Sequence, residues 1–302
     1  MMKLEGAVKK FGNFTALDGV DLTIPKGTAF GLLGSNGAGK STILRLFSGI
    51  YKQEAGTVQI DGEPVFDNVS AKQKVFFIND ETIQFGGYTL MELKNFYKQF
   101  YPSFSEEIFQ KLQSVIDLPL NKKISKFSKG MKRQAIVIVG LACCTPYLLL
   151  DEAFDGLDPT MRIIVKKMVV DAMCERELTV VISSHNLKEI NEMCDTAALL
   201  HKGKIVFNRQ LDSFKGSVHK IQAVFADRER EFTREDFKDV PEILHFERTQ
   251  SIYHIIAKGD EATIRKALDP YKPVVADMIP LSLEEIFIYE LEVLGYDSKV
   301  FD

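Results

Sequence analysis

Thr28-Ala-Phe-Gly-Leu-Leu33-Gly34-Ser-Asn-Gly-Ala-Gly39-Lys40-Ser41-Thr-Ile-Leu-Arg-Leu-Phe47 is the stretch that decides the fold. Its first six residues are a short apolar run suited to a buried strand, and Ile43, Leu44, Leu46 and Phe47 then follow a helical pattern. Between the two, Gly34 to Ser41 satisfies G-x-x-x-x-G-K-[ST], the P-loop pattern. Glycines there let successive backbone N–H groups close around phosphate oxygens, Lys40 reaches the outer phosphates, and the Ser41 hydroxyl is offered to Mg²⁺. The candidate nucleotide-binding residues are therefore Gly34, Ser35, Asn36, Gly37, Ala38, Gly39, Lys40, Ser41 and Thr42.

Working outward, a second apolar strand, Tyr147 to Leu150, ends in Asp151-Glu152, and a third, Thr179 to Ile182, ends in Ser183-Ser-His185. Helical stretches separate them, which implies an α/β fold of parallel strands with helical crossovers. Asp158-Pro159 opens one of these helices as N-cap and first-turn proline. Leu90, Leu93, Tyr97 and Phe100, then Ile108, Leu112 and Val115, repeat a helical period, so residues 85–145 read as a helical insertion. From residue 216 to 302 the texture changes to a small α+β domain. Strands are predicted over 218–225 and 274–278, a hairpin over 243–257 and a helix over 261–268. A final helix opens on the Ser282/Glu285 capping box and carries Leu283, Ile286, Phe287, Leu291 and Leu294 ahead of Gly295.

The chain has 302 residues, 45% hydrophobic and 26% charged, with 38 basic and 42 acidic side chains leaving a net charge of −4. These values suit one or two globular domains and exclude a collagen, a disordered tail or charge-driven binding to nucleic acid. Cys143, Cys144, Cys174 and Cys194 show no C-x-x-C spacing and read as thiols of a reducing compartment, the cytosol. The longest apolar run, Ala135 to Leu150, is interrupted by Thr145-Pro146 and falls short of the roughly 20 residues of a membrane span. The first residues lack the apolar stretch of a signal peptide, so any membrane role is expected to be peripheral.

Beside a P-loop, the Asp151-Glu152 pair reads as a magnesium-holding carboxylate followed by a base for an attacking water, although either acid also suits a turn cap. Ser128 and Gly130 precede the helix-like run Met131 to Leu141 and would make a helix N-terminus suited to an anion, or a plain cap.

Together these segments resemble the ATP-binding subunits of ABC transporters over roughly residues 2 to 215. Lys122-Lys-Ile-Ser-Lys-Phe-Ser128-Lys-Gly130-Met131-Lys-Arg-Gln134 looks like that family's signature segment, Asp155-Gly-Leu-Asp158 its D-loop and His185 its switch histidine. Phe11, in Lys9-Lys-Phe-Gly12, stands where the family stacks an aromatic ring on adenine, though it reads equally as core. The resemblance implies a P-loop core of the ABC ATPase type over residues 1–215, with ATP and Mg²⁺ as cofactors and Glu152 and His185 as catalytic residues. It further implies a second ATPase subunit packed head to tail, with Ser128, Gly130 and Asp158 of one chain facing the nucleotide of the other. A separate polytopic permease, an address on the cytoplasmic face of the membrane and no direct contact with nucleic acid complete the implied setting.

Several positions depart from that pattern. Asp80 falls where the family has the Q-loop glutamine, and would be a third metal ligand with Ser41 and Asp151; Asn79 or Glu81 would take the place if the register shifts by one. Phe127, Lys129 and Met131 replace the usual leucine, glycine and glutamine, substitutions associated with the ABC-2-like exporter branch. Phe85-Gly-Gly-Tyr88 and the helix after it lie where the family receives its permease, or simply pack the insertion. The leading expectation is thus an exporter's ATPase, closing on ATP and reopening on hydrolysis. The alternative is a soluble ABC ATPase working as a mechanical switch on nucleic acid or ribosomes. Residues 216–302 are expected to regulate or to support a dimer.

Overall fold

Residues 1–79, 85–212, 218–227 and 230–279, with 281–282, 284–285 and 288–289, are described by the computed structural model. The chain opens with an antiparallel sheet of β1 (Met2–Phe11), β2 (Phe14–Ile24), β4 (Ala55–Ile60) and β5 (Glu63–Pro64), in the order β2-β1-β4-β5. Inserted into it are β3 (Ala29–Leu33) and α1 (Lys40–Phe47), which belong to the central layer. That layer is a six-stranded sheet built also from β6 (Val75–Ile78), β7 (Tyr147–Asp151), β8 (Thr179–Ser184), β9 (Thr196–His201) and β10 (Lys204–Gln210), in the order β10-β9-β3-β8-β7-β6. Strands β6, β7, β8, β3 and β9 run parallel. Every residue of β3, β7 and β8 is buried, the signature of parallel strands covered on both faces. One core unites the two sheets through α1: Met2, Leu4, Leu22 and Val58 meet Phe30, Leu32, Ile43, Phe47, Leu149 and Val181.

Residues 85–145 are helical as expected, with α3 (Leu90–Phe100), α4 (Glu106–Ile116) and α5 (Lys129–Ala142), preceded among the helices by the short α2 (Val69–Gln73). Thr89 and Glu92 form a capping box at α3, while Ser105 and Ser128 cap α4 and α5. The buried faces differ in detail from the expected stripes. On α4 the core takes Phe109, Leu112 and Ile116, whereas Val115 is 57% exposed, and on α3 Phe100 is 51% exposed. A helical period identifies a face only to within about a residue, because positions three and four apart share it. After β7 follow α6 (Pro159–Arg176), capped by Asp158, and α7 (Leu187–Met193), capped by Asn186.

Two compact units result, Met1–Asn208 and Arg209–Asp302, against an expected boundary at 215. The second contains β11 (Val218–Phe225), β12 (Ile243–Thr249), β13 (Ile252–Lys258), α8 (Glu261–Leu268) and β14 (Pro273–Ile279). Its antiparallel sheet has the order β12-β13-β11-β14 around a core of Phe225, Phe232, Phe237, Tyr253 and Ile264. The hairpin is β12–β13, and the Ser282/Glu285 capping box is formed. The expected apolar stripe at Leu283, Ile286, Phe287, Leu291 and Leu294 lies outside the described residues, as does Gly295.

Candidate functional site

Parallel strands deliver their successive loops to one edge of a sheet, and the loops after β3, β7 and β8 meet at that edge. The loop after β3 is drawn tight by Gly34, Gly37 and Gly39, which all have positive φ. Gly39 is the N-cap of α1 at φ 114°, and a Cβ there would stand 2.8 Å from Leu17 Cδ2 and 3.0 Å from the Ala16 carbonyl oxygen. With no side-chain cap and no acidic residue in its first turn, α1 presents the positive end of its dipole unneutralised. The buried Lys40 ammonium donates to the carbonyl oxygens of Gly34 at 2.6 Å and Ser35 at 3.2 Å. Burial lowers its pKa, against the opposing charges of Glu152 and Asp151.

Asp151, the last residue of β7, is 8% exposed. Its Oδ1 accepts the Ser41 hydroxyl at 3.0 Å and also the Ser183 hydroxyl from β8. The chain then turns through Glu152, whose φ of 48° is left-handed. Its N–H donates to both the carbonyl oxygen and the hydroxyl of Ser183, each at 3.2 Å. That strained turn swings the Glu152 carboxylate to 3.5 Å from His185 Nδ1, with an Asp155 oxygen in the same cluster, all within 4.8 Å of one another.

A cavity of about 180 Å³ lies over the loop, lined by Phe11, Phe14, Ala16, residues 36–42 and Glu152. A buried ammonium and a helix N-terminus form a cradle for phosphate, and a hydroxyl beside a carboxylate is an oxygen set suited to Mg²⁺. The residues present thus fit both a nucleotide and its metal. Ser128, Gly130 and Asp158 do not line this cavity. They cluster elsewhere: a Cβ on Gly130 would meet the Gly156 carbonyl oxygen at 3.3 Å, and the Lys129 chain lies over Gly156. Ser128 is exposed, and its hydroxyl caps α5 by accepting the Met131 N–H at 3.2 Å. Asp80 and Glu81 lie outside the described residues, and Asn79 is buried.

Phe11 is 43% exposed at the cavity mouth, edge-on to Tyr51 at 5.2 Å. Phe14, its register partner across the β1–β2 hairpin and 61% exposed, lines the same cavity. Phe14, Ser183 and Asp155 are the site residues that reading the motifs leaves without a role. For Phe14 the signal is the second aromatic of Phe11-Gly-Asn-Phe14; for Ser183 it is the hydroxyl ending a strand paired with the Asp151 strand.

Residues 17–155 match the ABC transporter family. The ABC transporter ATP-binding protein YtrB of Bacillus subtilis (strain 168) is 30% identical over 288 residues, covering 95% of this chain and 97% of its own. The Nod factor export ATP-binding protein I of Rhizobium sp. (strain N33) is 31% identical over 67% of this chain and 68% of its own. Among solved structures, a dimeric ATP-binding cassette in a post-hydrolysis state bound to ADP and Pi superposes with a TM-score of 0.62 at 22% identity, covering 70% of this chain and 98% of that one.

Proposed function

The chain belongs to the family of ABC transporter ATP-binding proteins, and we propose that it is the Mg²⁺-dependent ATPase subunit of an exporter, docked on the cytoplasmic face of a membrane. ATP binding and hydrolysis are the family's activity, and no helix among the described residues is long and apolar enough to cross a membrane. The observation that carries the reading is the convergence of Ser41 and Ser183 on Asp151, beside Glu152 and His185 at the mouth of the glycine loop.

Each residue then has a task. Lys40 and the first-turn amides of α1 bind the phosphates, and Phe11 and Phe14 flank the base. Ser41 and Asp151 would hold Mg²⁺, which supplies charge neutralisation to the transferring phosphoryl group. Glu152 accepts a proton from the attacking water, and His185 beside it contacts the γ-phosphate and reports its presence. Ser128, Gly130 and Asp158, which their own chain's cavity does not use, face the nucleotide of a second ATPase subunit. The dimeric cassette bound to ADP and Pi supports that arrangement, and the Nod factor export relative supports the direction. A separate polytopic permease would rest on the aromatic surface of the insertion. There Phe85 packs on Phe96 at 5.2 Å, while Tyr88 and Phe100 remain exposed.

The test is Glu152→Gln. Turnover should fall by about 10²–10⁴-fold with ATP binding intact, and Mg-ATP should convert the protein to dimers in light scattering. A protein that stays monomeric at saturating Mg-ATP overturns the sandwich. Recovery of the trapped protein with a polytopic membrane protein supports the exporter, whereas recovery only with ribosomes or nucleic acid replaces it with the soluble switch.

A further inference from the structure

Away from the nucleotide loop, α4, α5 and α6 line a cavity of about 340 Å³ that opens to the surface. The apolar part of its wall is Ile108, Leu112 and the exposed Val115 of α4, Leu141 of α5, and Met168 and Ala172 of α6. The volume falls within the roughly 300–1,000 Å³ of small-molecule sites. A dry apolar cavity of about 150 Å³ accepts benzene, so this one suits on the order of a dozen carbon atoms.

Charged residues complete the lining: Lys111, Lys167, Asp171, Glu175 and Arg176. Arg176, the last residue of α6, reaches the cavity, and its Nε and Nη1 are sealed from solvent without a hydrogen-bond partner. Among the described residues, no carboxylate forms an ion pair with its guanidinium. The nearby acid Glu175 is engaged by Lys111 at 3.0 Å. The other acid of the lining, Asp171, acts on the charge of Lys111 as well. Arg176 is half-buried, and the two buried N–H groups without an acceptor cost stability until one reaches them. Apolar walls ending at such a cation describe a ligand with a greasy body and one negative head.

We propose that this cavity binds a single-chain amphiphile with an anionic head, an alkyl carboxylate of about ten to twelve carbons, its tail between α4 and α6 and its carboxylate on Arg176. The head would pair with the guanidinium through charge-assisted hydrogen bonds, and the Lys111–Glu175 pair stands at the same cavity. The inference concerns residues outside the ATP site and does not depend on the exporter reading.

The experiment titrates the full-length protein with dodecanoate below its micellar concentration, followed by calorimetry. Dodecanol and dodecyltrimethylammonium give the same tail with neutral and cationic heads. Affinity should rise about three- to fourfold per methylene from octanoate to dodecanoate. Arg176→Gln should weaken dodecanoate about tenfold or more and leave dodecanol unchanged. Ala172→Met, which fills the cavity, should abolish both. Equal binding of dodecanoate and dodecyltrimethylammonium, dodecanoate binding indifferent to Arg176→Gln, or no binding at all would each overturn the proposal. The comparison of Arg176→Gln with dodecanol decides the matter even if the filled variant fails to fold.

Discussion

Ser183→Ala removes one oxygen from a residue that is 0% exposed and that touches both acids of the site. The hydroxyl donates to Asp151 Oδ1 and accepts the Glu152 N–H at 3.2 Å. After the change, Glu152 N–H keeps its bond to the Ser183 carbonyl oxygen at 3.2 Å, so the left-handed turn survives. Asp151 Oδ1 keeps only the Ser41 hydroxyl at 3.0 Å. The loss is therefore one hydrogen bond to a charged group, worth about 1.5–3 kcal/mol, and one branch of a shared N–H bond whose other branch remains. At roughly 2–4 °C per kcal/mol for a unit of this size, Tm should fall by roughly 3–12 °C in a scan run in EDTA without nucleotide. With Asp151 less constrained, kcat should drop about tenfold. KM for ATP should hold within about twofold, because Lys40 and the loop amides are untouched. Phosphate release under steady state measures both. A Tm lowered as expected with unchanged kcat would show that Ser183 stabilises the fold without positioning the acids. An unchanged Tm would remove the hydrogen bond from the account altogether.

Gly140→Ala would place a Cβ 2.6 and 2.7 Å from two ring carbons of Phe76, itself 1% exposed, so the urea midpoint should report a loss of about 1–3 kcal/mol. Phe11→Ala and Phe14→Ala should each weaken a fluorescent ATP analogue about two- to tenfold; an effect confined to Phe11 would exclude Phe14 from the base site. Glu189, 6% exposed, accepts the Ser184 hydroxyl at 2.7 Å, and burial raises its pKa. A raised carboxyl pKa favours the protonated form in the fold, so the cost of charging it develops as pH climbs above the usual carboxylate range. Glu189→Gln keeps the acceptor without the charge. It should raise Tm on the order of 2–4 °C near pH 7.5 and leave it unchanged below about pH 4. A variant destabilised at both values would refute the reasoning.

What the sequence disclosed follows from how local each signal is. Strands β3, β7 and β8 were legible because they are apolar on both faces and end in loop residues of distinct chemistry. The antiparallel β1–β2 pair was not. Register shifts between Leu4 and Ala7 and again between Ala7 and Lys9 break the two-residue alternation that would announce it. The stripe on α4 was legible as a helix but misplaced by a residue, leaving Ile108 and Val115 in the wall of a cavity rather than in the core. In the site, Lys40, Ser41, Asp151 and Glu152 stand inside contiguous motifs. Ser183 acquires a place only through pairing with Asp151, a strand away in the sheet, and Phe14 only through the hairpin that sets it opposite Phe11.

That dependence on pairing makes strand register the link between core and chemistry. In the parallel β7–β8 ladder Asp151 stands opposite Ser183, and one strand further Leu33, the residue before the glycine loop, stands opposite Ser184. Side chains alternate faces along a strand, so a slip of one residue in β7 would turn Asp151 away from Ser41 and carry the Glu152 turn with it. Such a slip is resisted by residues that never approach the nucleotide. Leu149 and Val181 are fully buried register partners, and Phe30 stands opposite Val181 on the other side. Their burial defines which face of each strand is core, and the positions of the hydroxyls and carboxylates at the strand ends follow from it. Conservative changes among these residues should therefore leave the site intact so long as volume is kept. A charge at Leu149 or Val181 would disrupt the arrangement of Ser41, Asp151 and Ser183 before it touched the loop that binds phosphate.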